Sequence, residues 1–276
     1  MFVLKKIFWL TRNTFTEAVR QKFFSFVLIL CAGLMLVSLS LTSFDFGNSE
    51  LKFIADFGFG GLFLFGSVLA VVMTVQLFFT EIENRTALTL LAKPVRRSEF
   101  LFGKFFGVWL LLGIFVALIC SVLAIVLWLR AGTVAEIAVA RGNEPPFLSF
   151  EGIAVFAVLQ WFRLGIVVAL TMAVSSFAQT YLYAVVISFC FVLVGQLRYV
   201  FQEFADGGKA GATAKAFSVA ISKLIPDLQM FNIGQSLVLE PEGLPAETVF
   251  SVLGCGAIWI AACFAVAVWF FRFREI

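Results

Sequence analysis

The chain has 276 residues, of which 62% are hydrophobic and only 13% charged, with 36 Phe and a net charge of +3. Soluble domains are nearer half apolar and a quarter charged, so this composition excludes an ordinary soluble fold. Its mean hydropathy of +1.03 and several apolar runs of the ~20 residues needed to cross a bilayer core point to an all-α polytopic membrane protein. Histidine is absent. That removes the usual general base near neutral pH and the commonest metal ligand, against intramembrane metalloproteases and His-dependent hydrolases. The five cysteines (Cys31, Cys120, Cys190, Cys255 and Cys263) all fall inside apolar runs, where they read as small hydrophobes; no disulfide or CxxC metal pattern emerges.

Residues 1–22 form a first unit, with an amphipathic helix expected over residues 2–20. Leu4, Ile7, Phe8, Phe15, Ala18 and Val19 share one stripe, and Lys5, Arg12, Thr16 and Arg20 the other. A basic face opposite aromatics suits a helix lying in the membrane interface, and also supplies a positive-inside flank. The first apolar run begins only at Phe23, is long enough to span, and has no small-x-small site after it, which argues against a cleavable signal peptide.

Residues 23–276 then hold six expected spans. The first is Phe23 to Leu41, followed by a polar loop with Asp45, Asn48, Glu50 and Asp56. The second is Phe59 to Phe79, with Gly60, Gly61 and Gly66 allowing close helix contact. A charged stretch, Glu81 to Gly107, separates it from the third, Leu101 to Leu129, which ends at the interface anchor Trp128. Residues 130–150 read as loop, on Gly142, Asn143 and Pro145-Pro146. The fourth span lies within Ile153 to Ala178, and only Gln179 and Thr180 part it from the fifth, Tyr181 to Leu197. Residues 198–248 are the longest segment outside the spans, with a short amphipathic helix expected over Ala212 to Ile225. Pro241 and Pro245 lead to the last span, Val249 to Phe271.

Charge sets the orientation. Both termini and the Glu81–Gly107 stretch together carry twelve Lys and Arg against five acids, +7, while the rest carries eight against twelve, −4. Cations near span ends mark the inside. Both termini and the charged stretch are therefore expected in the cytoplasm, and residues 198–248 outside.

No constellation for catalysis is found. There is no GxxxxGK[ST] loop to cradle phosphates and no GxSxG elbow. By these boundaries none of the 17 acids sits deep in a span, where ion-coupled carriers keep such a group. Energy for transport would thus come from another chain. Arg163 is the one awkward charge. Either it faces a cavity, as intramembrane arginines do, or the fourth span begins later and Arg163 snorkels outward; the second is the expectation here.

The charged stretch has its own order. With Thr80 as a cap, Glu81 and Glu83 fall in a first helical turn, where carboxylates favour the dipole, and Leu88 and Leu91 face one side. Pro94 ends that helix, and Ser98 with Glu99 starts the next. Gly103 and Gly107 form a small-xxx-small pair for close packing. Positive-inside bias alone accounts for Arg96, Arg97 and Lys104, but not for acids so near the preceding span.

These residues resemble a known family. Glu81-x-Glu83-x-Arg85-Thr86, Leu90-Leu91-x-Lys93-Pro94-Val95-x-Arg97 and Glu99-Phe100-x-x-Gly103-Lys104-x-x-Gly107 are similar to the cytoplasmic signature of ATP-binding cassette (ABC) type-2 permeases. Thr14-Phe15-x-Glu17-Ala18-x-Arg20 is similar to that family's entry helix. The resemblance implies a six-span half-transporter in the cell inner (cytoplasmic) membrane, paired with a second permease copy, alike or different, and docked on a separate ABC ATPase that binds the ATP and Mg. It implies a coupling helix over residues 81–91, with Glu81, Glu83, Arg85 and Thr86 as docking contacts. Lys93, Pro94, Arg97, Glu99, Gly103, Lys104 and Gly107 then form the supporting elbow, and Glu17 and Arg20 belong to the entry helix. Asn84 stands where relatives often have a second Arg. No catalytic residue, metal, cofactor or nucleic-acid partner is expected; some relatives serve metal-centre maturation, but outward loops without His or Cys do not support a metal. The other reading of the same features is a membrane module that anchors or signals to a cytoplasmic ATPase while nothing crosses. A third, an intramembrane enzyme, lacks an acid/base set.

Overall fold

A computed structural model describes residues 2–41, 50–83, 96–140, 147–206, 225–233, 237–239 and 245–273. Seven α-helices account for most of them: α1 (Phe2–Val19), α2 (Lys22–Leu41), α3 (Glu50–Glu83), α4 (Arg97–Ala140), α5 (Phe150–Phe177), α6 (Tyr181–Asp206) and α7 (Ala246–Phe273). No strand occurs among the described residues. Five helices, from α3 to α7, are long and apolar enough to cross a membrane, and α1 with α2, bent by 62° at Arg20–Gln21, make a sixth candidate. The protein is a multi-pass membrane protein.

Several helices outrun their expected spans. At 1.5 Å per residue, α4 with its 44 residues is about 66 Å long against a ~30 Å core. The segment after Trp128, read above as loop, is helical to Ala140. The strong breakers begin only at Gly142, and Ala131, Ala135, Glu136, Ala138 and Ala140 favour helix. Likewise α6 runs past Leu197 to Asp206. The loop expected before the second span is helical from Glu50, which brings Asp56 into the second turn of α3. The amphipathic helix expected over Ala212 to Ile225 lies outside the described residues, but for Ile225.

Helix α3 is the hub, packing against α2, α4, α5 and α6, while α7 lies along α5, and α1 along α4. Two-thirds of the apolar stretch of α3 is buried but only 17% of that of α7, so α7 sits at the margin of the bundle. Helices α4 and α5 are joined by a reciprocal clasp. The Trp109 indole N–H donates to Trp161 O (3.0 Å) and the Trp161 indole N–H to Trp109 O (2.8 Å), with the rings stacked at 4.5 Å. Each ring lies over a glycine four residues along the other helix from its partner. A Cβ at Gly113 would stand 2.9 Å from Trp161 Nε1, and one at Gly165 2.6 Å from Trp109 Nε1. In lipid an indole N–H has no water to bond, so pairing both with backbone oxygens removes a cost of several kcal/mol each, on the order given for unsatisfied groups.

Candidate functional site

One end of the bundle gathers α1, the last turn of α3, the first turns of α4 and the last turn of α7. Helix α3 carries its apolar run unbroken through Thr80, whose hydroxyl donates back to Gln76 O at 2.7 Å, to Glu83. This corrects the expected cap: Thr80 is inside a helix, and Glu81 and Glu83 stand at a C-terminus rather than a first turn. A carboxylate there opposes the helix dipole, and Glu81 is also buried. The compensation comes from α4. Lys104, only 3% exposed, places its Nζ 2.6 Å from Glu81 Oε1 and 3.7 Å from Glu17 Oε2 of α1. One ammonium thus ties three helices together at this end.

The approach of α1 depends on two absent side chains. A Cβ at Gly103 would fall on Leu10 Cβ, and one at Gly107 would lie 2.6 Å from Thr14 Cβ. The glycines at i and i+4 make a trough into which Leu10 and Thr14, also four apart, descend. Thr14 and Ala18 are buried, so the packed stripe of α1 is Leu10–Thr14–Ala18. Of the stripe expected from sequence, Phe8 and Val19 face outward instead. Exposed Trp9 stacks under the Arg12 guanidinium (5.5 Å), a pairing suited to the headgroup layer. Arg20 is exposed in the bend before α2, where its N–H reaches back to Thr16 O.

The start of α4 is organised by Glu99 rather than Ser98. The Arg96 N–H donates to Glu99 Oε2 at 3.0 Å, the reach-back half of a capping box, with Ser98 inside the first turn. Arg97 crosses to α7, where its Nη1 donates to Phe271 O (3.1 Å) and Arg272 O (3.2 Å), satisfying carbonyls at that helix's C-terminal end. Phe271 in turn stacks on Phe100 and meets Phe78 edge-on. So Glu17, Glu81, Arg97, Glu99, Gly103, Lys104 and Gly107 are brought to one end by direct contacts. Of the other expected site residues, Glu83 closes α3; its side chain lies outside the described residues, as do Arg85, Thr86, Lys93 and Pro94 altogether.

A second polar cluster lies deep in the bundle, and it corrects the expectation for Arg163. Arg163 does not snorkel; it is 1% exposed, thirteen residues into α5. Its Nη1 donates to Gln160 Oε1 (3.2 Å), its Nη2 to Gln196 Oε1 of α6, and its guanidinium lies 3.6 Å over the Phe63 ring of α3. The chain after α6 comes in to meet it. Gln196 Nε2 donates to Gln229 Oε1 (2.8 Å), Gln160 Nε2 to Phe231 O (3.1 Å), and the Leu228 N–H to Gly195 O (3.3 Å). Phe231 is buried against Gly256 of α7, where a Cβ would lie 2.9 Å from its ring. Residues 225–233, part of the long segment expected between the fifth and last spans, are drawn into the bundle by a charge and three amides. The signal was present: Gln160 and Gln196 are amides inside apolar runs, the acceptors a buried guanidinium needs.

A family model described as "ABC-2 family transporter protein" matches residues 9–276, nearly the whole chain. No curated protein matches it.

Proposed function

The chain belongs to the ABC-2 transporter family, and from that premise we propose that it is the permease subunit of an ATP-driven exporter. The observation that carries this reading is the Lys104 tie. A partner that displaces the segment leaving α3 and entering α4 pulls on two helices whose ends are clamped to each other and to α1 through Glu81, Lys104 and Glu17, so it moves three helices together. Arg97 extends the clamp to α7.

In this proposal the end holding the clamp faces the cytoplasm of the inner membrane, a reading supported by the distribution of cations. A separate ABC ATPase binds ATP and Mg, and its closure drives the elbow; this chain supplies no catalytic group. Two permease copies, alike or different, enclose the path. Because the Glu81 carboxylate is engaged by Lys104, docking falls to Glu83, Arg85 and Thr86, while Lys93 and Pro94 set the return into α4. Co-expression with the cognate ATPase tests this. Glu83→Lys and Arg85→Glu are expected to lower complex recovery and permease-dependent ATP hydrolysis by about tenfold each, as for loss of an interfacial charge pair. Unchanged hydrolysis and recovery would reject the docking assignment. Coupled hydrolysis without solute movement in reconstituted vesicles would favour a signalling module over a transporter.

A further inference from the structure

The outer surface between α4 and α7 carries a groove of about 660 Å³, within the range of small-molecule sites. Its α4 wall is aromatic, with Phe102 and Trp109, and Phe162 of α5 forms part of the floor. Its α7 wall carries a track of small residues, Ala257, Ala261 and Ala265 at every fourth place along one exposed face, flanked by Ile260, Phe264, Val268 and Trp269. Large side chains at those three places would close the groove. From Ala257 to Arg272 the groove follows fifteen residues of helix, about 22 Å. One leaflet's share of a ~30 Å core is about 15 Å, so the groove takes an extended acyl chain lengthwise.

The two ends differ. Toward Ala257 the lining is apolar; at the other end stand Ser98 and Arg272. The Arg272 side chain is exposed, and Arg97 at the start of α4 donates to its carbonyl. Two other grooves among the described residues lack this polarity. One of about 370 Å³ over Gly113 and Trp161 has no charged residue in its lining, and one of about 340 Å³ beside Gly60 carries Asp56, the opposite sign. A hydrocarbon-length slot ending in the Arg272 guanidinium at the charged end of the bundle matches an amphiphile with an apolar tail and an anionic head. We infer that this groove binds one anionic phospholipid of the surrounding leaflet, with an acyl chain along the alanine face of α7 and the headgroup phosphate on Arg272. Because Arg97 also belongs to the clamp around Lys104, such a lipid sits against the element that the proposed ATPase would move. Its binding needs no ATPase, so it stands or falls separately from the docking reading.

Native mass spectrometry of the full chain in detergent, titrated with phosphatidylglycerol or phosphatidylcholine of identical acyl chains, tests this. Phosphatidylglycerol, a net anion, is expected to bind about tenfold more tightly than phosphatidylcholine, whose own choline ammonium neutralises the same phosphate and is repelled by Arg272. Arg272→Gln should bring the two lipids to within about twofold, whereas Lys5→Gln, on the exposed face of α1, should leave the preference intact. Ala261→Phe, which fills the slot, should weaken both lipids together; should that variant not fold, the Arg272 and Lys5 pair decides alone. Equal affinity for both lipids in the unaltered chain overturns the inference, as does equal loss of preference in the Lys5 variant. Lipid carried by monomers but excluded from dimers also overturns it, since a second copy would then cover the groove.

Discussion

Lys104→Met is expected to cost about 3–5 kcal/mol of stability, the penalty for removing one partner of a buried ion pair. Glu81 is then left at a helix C-terminus, buried, with its nearest cation gone. The effect should fall on Glu81 and not on Glu17, whose side chain is 35% exposed and 3.7 Å from the ammonium. An exposed pair of that kind contributes roughly 0–1 kcal/mol, so Glu17→Gln should be mild. Thermal melting of the purified chain in detergent checks both. Adding Glu81→Gln to Lys104→Met should recover most of the loss, because a neutral amide does not need the ammonium. A double variant as unstable as Lys104→Met alone would show that Lys104 acts by packing and not by charge.

Arg163→Met should be of similar size for a different reason. The change keeps an apolar stem but strands Gln160 Oε1 and Gln196 Oε1, which now accept from the guanidinium. A buried acceptor left without a donor costs about 1–3 kcal/mol, so two put the loss on the order of 2–6 kcal/mol. The same amides hold Gln229 and Phe231 O, so the damage should be visible locally. Hydrogen exchange or limited proteolysis across residues 225–233 should rise well before the bundle melts. If protection there is unaltered while the melting temperature drops, Arg163 supports the helices alone and the incoming segment is held by Phe231 packing.

The helical architecture is legible because apolar length is a strong signal in a membrane chain. Five long apolar helices cover the second to sixth expected spans, the first falls in the second half of the bent pair α1–α2, and α5 and α6 are parted by the tight turn at Gln179–Thr180. What failed were boundaries and partners. Thr80 resembles an N-cap only when the apolar run is assumed to end before it; side-chain donation to Gln76 O shows the hydroxyl is equally at home inside a helix. Gly103 and Gly107 were identifiable as a close-packing pair, yet nothing local says that Leu10 and Thr14, some ninety residues earlier, fill the trough. Lys104 looked like a positive-inside cation because burial is a property of the assembled bundle; its carboxylate partners come from two other helices. Arg163 was misjudged for the same reason: a lone cation in an apolar run is costly unless partners exist, and its second amide comes from the next helix, thirty-three residues on.

The central claim is that a cytoplasmic ATPase grips this chain between α3 and α4. It is tested most directly by placing a photo-crosslinking amino acid at position 85 in the chain co-expressed with its cognate ATPase. The control is the same probe at position 130, thirty-three residues along α4 from Arg97 and about 50 Å away. The account predicts an ATPase adduct from position 85 and none from position 130. No adduct at 85, or adducts of equal yield at both positions, would contradict it.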